Sequence, residues 1–97
     1  MIIKRTNYFE KWFYKLSDNI QLIIDKYVKR LVTGNFSNCK PVGEGIHELK
    51  INYQKGYRIY FINKNNIIII LLIGGDKKST QQKDIERAKQ IKRCLEM

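Results

Sequence analysis

The sequence has few of the residues that metal sites, disulfide frameworks and membrane spans require. It contains one His and two Cys among 97 residues, so we expect no zinc site and two free thiols, Cys39 and Cys94, in a reducing compartment. The longest uncharged apolar run, Ile67 to Ile73, is far shorter than the roughly 20 residues that cross a bilayer. We therefore expect no metal, no cofactor and no membrane contact.

Acidic residues are also scarce. Nine Asp and Glu stand against 19 Lys and Arg, which gives a formal net charge of +10. Such a charge on so short a chain produces a strong positive field, which favours polyanions such as nucleic acid or an acidic protein. The alternative interpretation is that part of the Lys excess reflects codon bias on a solvated surface.

The length and composition indicate one globular domain over residues 1–97. The hydrophobic fraction of 43% can supply a core, whereas a second folded domain would lack the residues to build its own. The first residues carry Lys4 and Arg5 and no apolar run of signal-peptide length. We expect a cytoplasmic protein.

The N-terminal half predicts a short strand followed by a helical hairpin. We expect the strand at Met1 to Arg5 and the first helix at Tyr8 to Leu16, with its Tyr and Trp side chains in the core. Ser17 or Asp18 caps the second helix, which ends at Gly34. The apolar spacing of i, i+3, i+4 and i+7 comes from Phe9, Trp12, Phe13 and Leu16.

The C-terminal half predicts an antiparallel meander and a final helix. Asn35 to Gly45 lacks periodicity and predicts a loop, and three strands follow. Their ranges are Gly45 to Tyr53, Tyr57 to Asn63 and Ile67 to Ile73. The final helix begins at a capping box formed by Ser79 and Gln82, and its apolar stripe is Ile85, Ala88, Ile91 and Leu95. The fold class is therefore α+β.

One face of the predicted sheet collects cations and an aromatic side chain. Period-two alternation places Lys50, Arg58 and Tyr60 on the face opposite Ile59 and Phe61. We expect this face to be open, so that the variant Arg58→Ala would spare the fold. An Arg can bind a phosphodiester in a bidentate manner and a Tyr can stack on a base.

Other residues near this face allow plainer interpretations. The loop from Gly74 to Lys78 can bring Lys77 and Lys78 to the end of the same sheet. The alternative for the strand residues is that Lys50 and Arg58 are simply solvated, with Glu48 as an ion-pair partner. His47 shares its face with a Leu, which favours a partly buried structural role over general-base catalysis.

Several runs resemble a known family over nearly the whole chain, from Phe9 to about Ile91. They are Gly34 to Ile51, Gly56 to Phe61 and Leu71 to Lys77, followed by Gln81 or Gln82, Asp84, Ile85 and Ala88. These runs are similar to the addiction-module killer proteins, in the HigB-like branch of the RelE/ParE toxin superfamily. The resemblance implies the same α+β fold: a short N-terminal strand, a helical hairpin, an antiparallel meander and a C-terminal helix.

The resemblance also implies a function, that of the toxin of a type II toxin-antitoxin pair. RelE-type members are ribosome-dependent mRNA endonucleases that attack through the 2′-OH without metal and so inhibit translation. Transferred to this chain, the catalytic cations are Lys50, Arg58 and Lys77, with Tyr60 and Lys78 as RNA-binding residues. Some members use a Tyr or His near the last helix, where this chain has Gln and Asp, so the general acid is unassigned.

The implied partners are mRNA, the ribosome and a cognate helix-turn-helix antitoxin in a hetero-oligomer. Two alternatives remain open at this point. One is a non-enzymatic ParE-like toxin that inhibits DNA gyrase by protein binding. The other is a basic nucleic-acid-binding module without toxicity.

Overall fold

A five-stranded sheet separates two layers of helices in the computed structural model, which describes residues 2–75 and 77–96. The strand order is β1-β5-β4-β3-β2, with β1 parallel to β5 and the other neighbours antiparallel. The predicted α+β class and the β3–β5 meander are confirmed. The elements are β1 (Ile2–Arg5), α1 (Asn7–Phe13), α2 (Asp18–Val32), β2 (Cys39–Gly43), β3 (Ile46–Ile51), β4 (Tyr57–Lys64), β5 (Ile67–Gly75) and α3 (Lys78–Leu95).

Helix α1 is shorter than predicted and buries only part of its aromatic content. The Thr6 hydroxyl caps it by accepting a hydrogen bond from the Phe9 backbone N–H and donates to the Leu71 carbonyl at 2.7 Å. Phe9 is buried in the core, but Trp12 is 48% exposed. The prediction that the Tyr and Trp side chains of this helix lie in the core is wrong, because a seven-residue helix turns only one narrow face towards the sheet.

Helix α2 follows the prediction closely. The Ser17 hydroxyl accepts from the Ile20 backbone N–H, and Gly34 ends the helix at a φ of 82°, a left-handed conformation that glycine adopts without strain. The buried side chains Ile24, Val28 and Leu31 pack against the sheet together with those of α1.

The segment predicted as a loop, Asn35 to Gly45, contains an edge strand. Strand β2 pairs with β3 although it includes Pro41, because a proline is tolerated where one side of the strand has no partner. Cys39 consequently lies in a strand rather than a loop, and burial raises the pKa of its thiol to about 11.

A bulge in β5 reassigns its side chains between the two faces. Tyr60 opposes Leu72 while Phe61 opposes Ile70, so that Leu71 is an extra residue in β5. Leu71 and Leu72 therefore both belong to the core beneath α3, whereas Ile70 belongs to the core beneath α1 and α2.

Helix α3 packs across the second face of the sheet, but its predicted start and stripe need correction. Lys77 is the N-cap and makes no side-chain cap bond, and Gln82 donates to Glu86 instead of completing a capping box with Ser79. Leu95 is 51% exposed, so the apolar stripe ends one turn earlier, at Ile91. Within the described residues no helix is both long enough and apolar enough to span a membrane.

Candidate functional site

The sheet face that carries Arg58 and Tyr60 is covered, not open. Arg58 is 4% exposed and Tyr60 is fully buried, because Ile85 and Ala88 of α3 pack in the same core as Tyr60. The prediction of an open face is therefore wrong for these two residues. An apolar helix stripe needs an apolar surface to cover, and Tyr60 contributes to that surface.

Arg58 lies in an ion-pair cluster, which we define as Lys40, Glu48, Arg58 and Gln81; Arg58 and Glu48 are its buried members. The Nε atom of Arg58 is 3.7 Å from Oε1 of Glu48, and Nζ of Lys40 lies at the same distance from that oxygen. Gln81 of α3 donates to Oε2 of Glu48 at 2.9 Å. Glu48 is 2% exposed, so its charge depends on these partners for compensation.

Pairing of Arg58 with Glu48 confirms one part of the plainer interpretation and contradicts the other. The ion pair exists, but neither partner is solvated. The premise behind the expectation that Arg58→Ala would spare the fold, an exposed side chain, is wrong for the same reason. We expect this variant to lose stability, since it leaves the buried Glu48 carboxylate without this partner.

A second carboxyl, that of Asp84, reaches the sheet from α3. Its oxygen lies so close to Gly74 that a Cβ atom at position 74 would collide with it. Burial raises the pKa of Asp84, while the nearby charges of Arg87 and Arg58 oppose that rise. Asp84 therefore sits on the helix face that packs on β5 and couples electrostatically to Arg58.

The Tyr60 hydroxyl lies in the same electrostatic environment. Burial raises the pKa of Tyr60, and the carboxylates of Glu48 and Asp84 raise it further, against a smaller lowering by Arg58. The phenol therefore stays protonated. A ring buried this completely is unavailable to stack on a base, so the RNA-binding role predicted for Tyr60 conflicts with its position.

The predicted cations gather at one end of the sheet, where β3 finishes, β4 starts and β5 finishes. Arg58 is the register partner of Lys50 in β3 and of Gly74 in β5. Lys50 is exposed, and so are Lys77 and Lys78 at the start of α3. The structure thus sets exposed cations around the end of the sheet that holds the buried arginine.

His47 takes the structural position that its sequence context favours. Its ring stacks on Phe61 with centroids 5.6 Å apart, on the side of the sheet that packs against α1 and α2. The residue is half-buried, which confirms the prediction.

A cavity beside the cluster was not predicted from the sequence. It has a volume of about 310 Å³ and opens between α1, the end of β5 and α3. Its walls include Trp12, Tyr57, Asp84 and Arg87. One feature of the sequence does indicate an open aromatic surface here. The short helix α1 and its surroundings contain more aromatic residues than one narrow helix face can bury.

Metal-ligating side chains are dispersed in the part of the chain that the structure describes. Residues 2–75 and 77–96 contain no group of three His, Cys, Asp or Glu that could hold an ion. This arrangement offers positive charge from Arg58 in the sheet and from the exposed lysines at the sheet end. The protonated hydroxyl of Tyr60 adds a neutral proton donor.

Comparison with known proteins identifies the family. The model of the family described as "Phage derived protein Gp49-like" matches residues 11–93. An uncharacterized protein of Haemophilus influenzae is 48% identical over 88 residues, which span 90% of this chain and 88% of that protein.

Solved structures show the same fold at low identity. The isolated Escherichia coli RelE toxin superposes with a TM-score of 0.66 at 12% identity, covering 89% of this chain and 96% of that chain. The RelE-type fold in the intact Escherichia coli RelBE toxin-antitoxin complex gives a TM-score of 0.63 at 15% identity, covering 79% of this chain and 98% of that chain. The resemblance to the RelE/ParE superfamily is thereby confirmed for the fold, and the HigB-like branch stays a prediction. The chain belongs to the phage-derived Gp49-like family and has the fold of the RelE toxin.

Proposed function

We propose that this protein is the toxin of a type II toxin-antitoxin pair and inhibits translation by cutting mRNA on the ribosome. The observation that carries the proposal is the fixed position of Arg58, held by Glu48 next to Lys50 at a sheet end bordered by exposed lysines. The RelE-like fold and the net charge of +10 support it.

The arrangement suits RNA cleavage without a metal ion. Attack by the 2′-OH requires a base for its proton, positive charge on the phosphorane and an acid for the leaving oxygen. Arg58 supplies a permanent positive charge, which acts from its buried position beside Lys50 without a direct bidentate contact to the phosphate. Lys50 is the candidate base. Lys77 adds charge beside the phosphate, and Lys78 contacts the RNA backbone.

The covered sheet face changes the direction of RNA approach and the role of Tyr60. Since α3 lies over Arg58, the RNA approaches from the sheet end, where Lys50 and Lys77 are exposed. Tyr60 lies in the core beneath α3, close to the charges of Glu48 and Arg58, and does not stack on a base. The positive charge of Arg58 then acts on the RNA at the end of the sheet where β4 begins.

An exposed lysine gives a cleaner test than the buried arginine. We expect Lys50→Met to abolish growth arrest after induction in a bacterium, with folding unchanged by circular dichroism. The matched control is Lys64→Met. Lys64 is also exposed but lies at the end of β4 away from Arg58, so this variant should remain toxic. Toxicity of the folded Lys50→Met variant at the wild-type level would remove Lys50 from the mechanism.

Pulse labelling separates this proposal from the gyrase alternative, which the burial of Arg58 favours. A toxin that cuts mRNA stops methionine incorporation first, whereas a gyrase inhibitor stops thymidine incorporation first. We expect protein synthesis to fall before DNA synthesis, and the reverse order would overturn the proposal.

The proposed partner is a helix-turn-helix antitoxin that forms a hetero-oligomer with this chain. The RelE structure in the intact complex carries its own antitoxin, and a +10 chain attracts an acidic one. Ile2, Tyr14 and Leu22 expose large apolar side chains on β1, the end of α1 and α2. We place the antitoxin there, remote from Arg58, where it would enlarge the toxin beyond the space of the ribosomal A site.

Mutations on the two surfaces test this placement. Leu22→Glu should weaken antitoxin binding by more than about 2 kcal/mol if it lies at the centre of the interface. Lys50→Met should leave the affinity near the wild-type value. The opposite pattern would show that the antitoxin masks the site itself.

A further inference from the structure

The cavity beside the ion-pair cluster has the construction of a small-ligand site. We call it the Trp12 cavity and define it by Trp12, Tyr57, Thr80, Asp84 and Arg87 in its walls. Its volume of about 310 Å³ lies at the lower end of the range for small-molecule sites, about 300–1,000 Å³. It can admit one group the size of a nucleobase.

The indole of Trp12 provides the apolar wall. This side chain is half-exposed although its helix neighbours Phe9 and Phe13 are buried. The same indole also lines a second, adjoining depression, whose walls include Lys11, Lys15 and Arg87. An accessible aromatic surface is thus bordered by three cations.

One of these cations already contacts the aromatic ring. The Nζ atom of Lys15 is 5.3 Å from the Trp12 ring centroid, within the range of a cation–π contact. Arg87 lines both depressions. A ligand that stacked on the indole could therefore place an anionic group between Lys15 and Arg87.

The polar groups of the cavity can read the edge of a bound ring. Tyr57 is buried, and its hydroxyl has no hydrogen-bond partner among the described residues. The Asp84 carboxyl and the Thr80 side chain belong to the same walls. The Thr80 hydroxyl donates to the Lys77 carbonyl at 3.1 Å and keeps its acceptor lone pairs for a ligand. A donor, an acceptor and a hydroxyl around an aromatic platform match the needs of a nucleobase, which stacks on one face and hydrogen-bonds along its edge.

We propose that the Trp12 cavity binds one unstacked base of the RNA substrate, with the adjoining phosphate on Arg87 and Lys15. This inference rests on the proposed function and deepens it, because it assigns base preference to a place distinct from Lys50. The cavity shares Asp84 and Gly74 with the surroundings of Arg58, so a base held there lies near the arginine. A folded peptide segment would exceed its volume.

The single Trp of the chain reports binding directly. Titration of the wild-type protein with adenosine 5′-monophosphate should change the Trp12 fluorescence in a saturable manner. Ribose 5-phosphate, which carries the phosphate without the base, should leave the emission unchanged. Equal responses to both compounds would mean that the basic side chains bind phosphate alone, and no response to either would mean that the cavity binds no base; each result overturns the proposal.

Substitution of the indole tests the stacking contact against a matched control. Loss of base stacking costs about 1–3 kcal/mol, so Trp12→Leu should weaken binding of a ribotrinucleotide about 5- to 140-fold in calorimetry. Leu95→Ala removes an exposed apolar side chain from the last turn of α3, outside both depressions, and should bind as the wild type does. Equal affinities of the two variants would contradict the proposal.

Cleavage and antitoxin assays separate this proposal from the function on which it rests. If Trp12→Leu cuts mRNA with an altered base preference, both hold. If it cuts with the wild-type rate and preference, the endonuclease function stands and the base site is wrong. Should Trp12→Leu weaken antitoxin binding while ribotrinucleotide binding is unchanged, the cavity belongs to the protein partner and the proposal falls.

Discussion

At the scale of single residues, the most consequential contact is the ion pair between Glu48 and Arg58. Both side chains are nearly inaccessible, and a buried charge that loses its partner retains the full cost of its desolvation. The sequence predicts Arg58 on an exposed face. Its side chain is instead buried in the core, with Glu48 as its ion-pair partner. In the proposed mechanism Arg58 therefore serves both function and stability.

Truncation of Glu48 should measure that dependence. We expect Glu48→Ala to lower the free energy of unfolding by about 3–5 kcal/mol, because it breaks a buried ion pair by removing one of its two members and leaves an empty space. Lys40→Ala removes the other cation on the same carboxylate, but its side chain is 62% exposed, so the loss should stay below about 1 kcal/mol. Urea unfolding of the two variants provides the comparison, and equal losses would contradict this account.

The raised pKa of Asp84 predicts a pH-dependent effect of its substitution. Burial raises the folded-state pKa, so the ionised carboxyl is disfavoured by folding at pH 7, and the wild type regains this stability as the pH falls towards the unfolded value of about 3.9. Asp84→Asn should therefore have a higher Tm than the wild type at pH 7, with the difference vanishing near pH 3. A lower Tm at pH 7, or a difference independent of pH, would refute it.

At the scale of elements, the packing of α3 on β5 depends on a glycine. The Asp84 carboxyl occupies the space that a Cβ at Gly74 would need. This close approach lies beside Arg58 of β4, the register partner of Gly74. Gly74 and Asp84 also line the cavity, so the same approach shapes its wall.

A double-mutant cycle tests this close approach. Gly74→Ala should destabilise the fold by about 1 kcal/mol, the low end of overpacking costs, because the atoms that the new Cβ meets are the end of the Asp84 side chain. Adding Asp84→Ala should recover most of the loss because the colliding carboxyl is gone. Thermal unfolding of the two single variants and the double variant gives the coupling. Strict additivity would show that the two positions do not contact each other.

The sequence predicts a helix or strand well where a single period of apolar residues, helical or alternating, is enough to identify it. Helix α2 and strands β3 and β4 follow from apolar spacing and turn residues alone. Strand β2 was missed because Pro41 and a lack of alternation obscure an edge strand, and the bulge at Leu71 leaves no mark in a continuous run of apolar residues. The continuous apolar run of β5 is typical of a strand that is buried on both faces. It therefore conflicts with the prediction of an open sheet face.

At the scale of the whole molecule, charge and topology together define the candidate site. Alternation correctly places Lys50, Arg58 and Tyr60 on one face, but only the tertiary structure shows that α3 lies over two of them. Glu48 was predicted as a partner, whereas Gln81 and Lys40 reach the same carboxylate from α3 and β2. Contacts between elements that are distant in the chain leave no local pattern in the sequence.

Mapping of mRNA 5′ ends after brief induction tests the central claim most directly. We predict new ends at a fixed position within codons of translated regions, absent from the same transcripts when their start codons are removed and absent with Lys50→Met. Growth arrest in which every transcript keeps its original 5′ end would contradict the account.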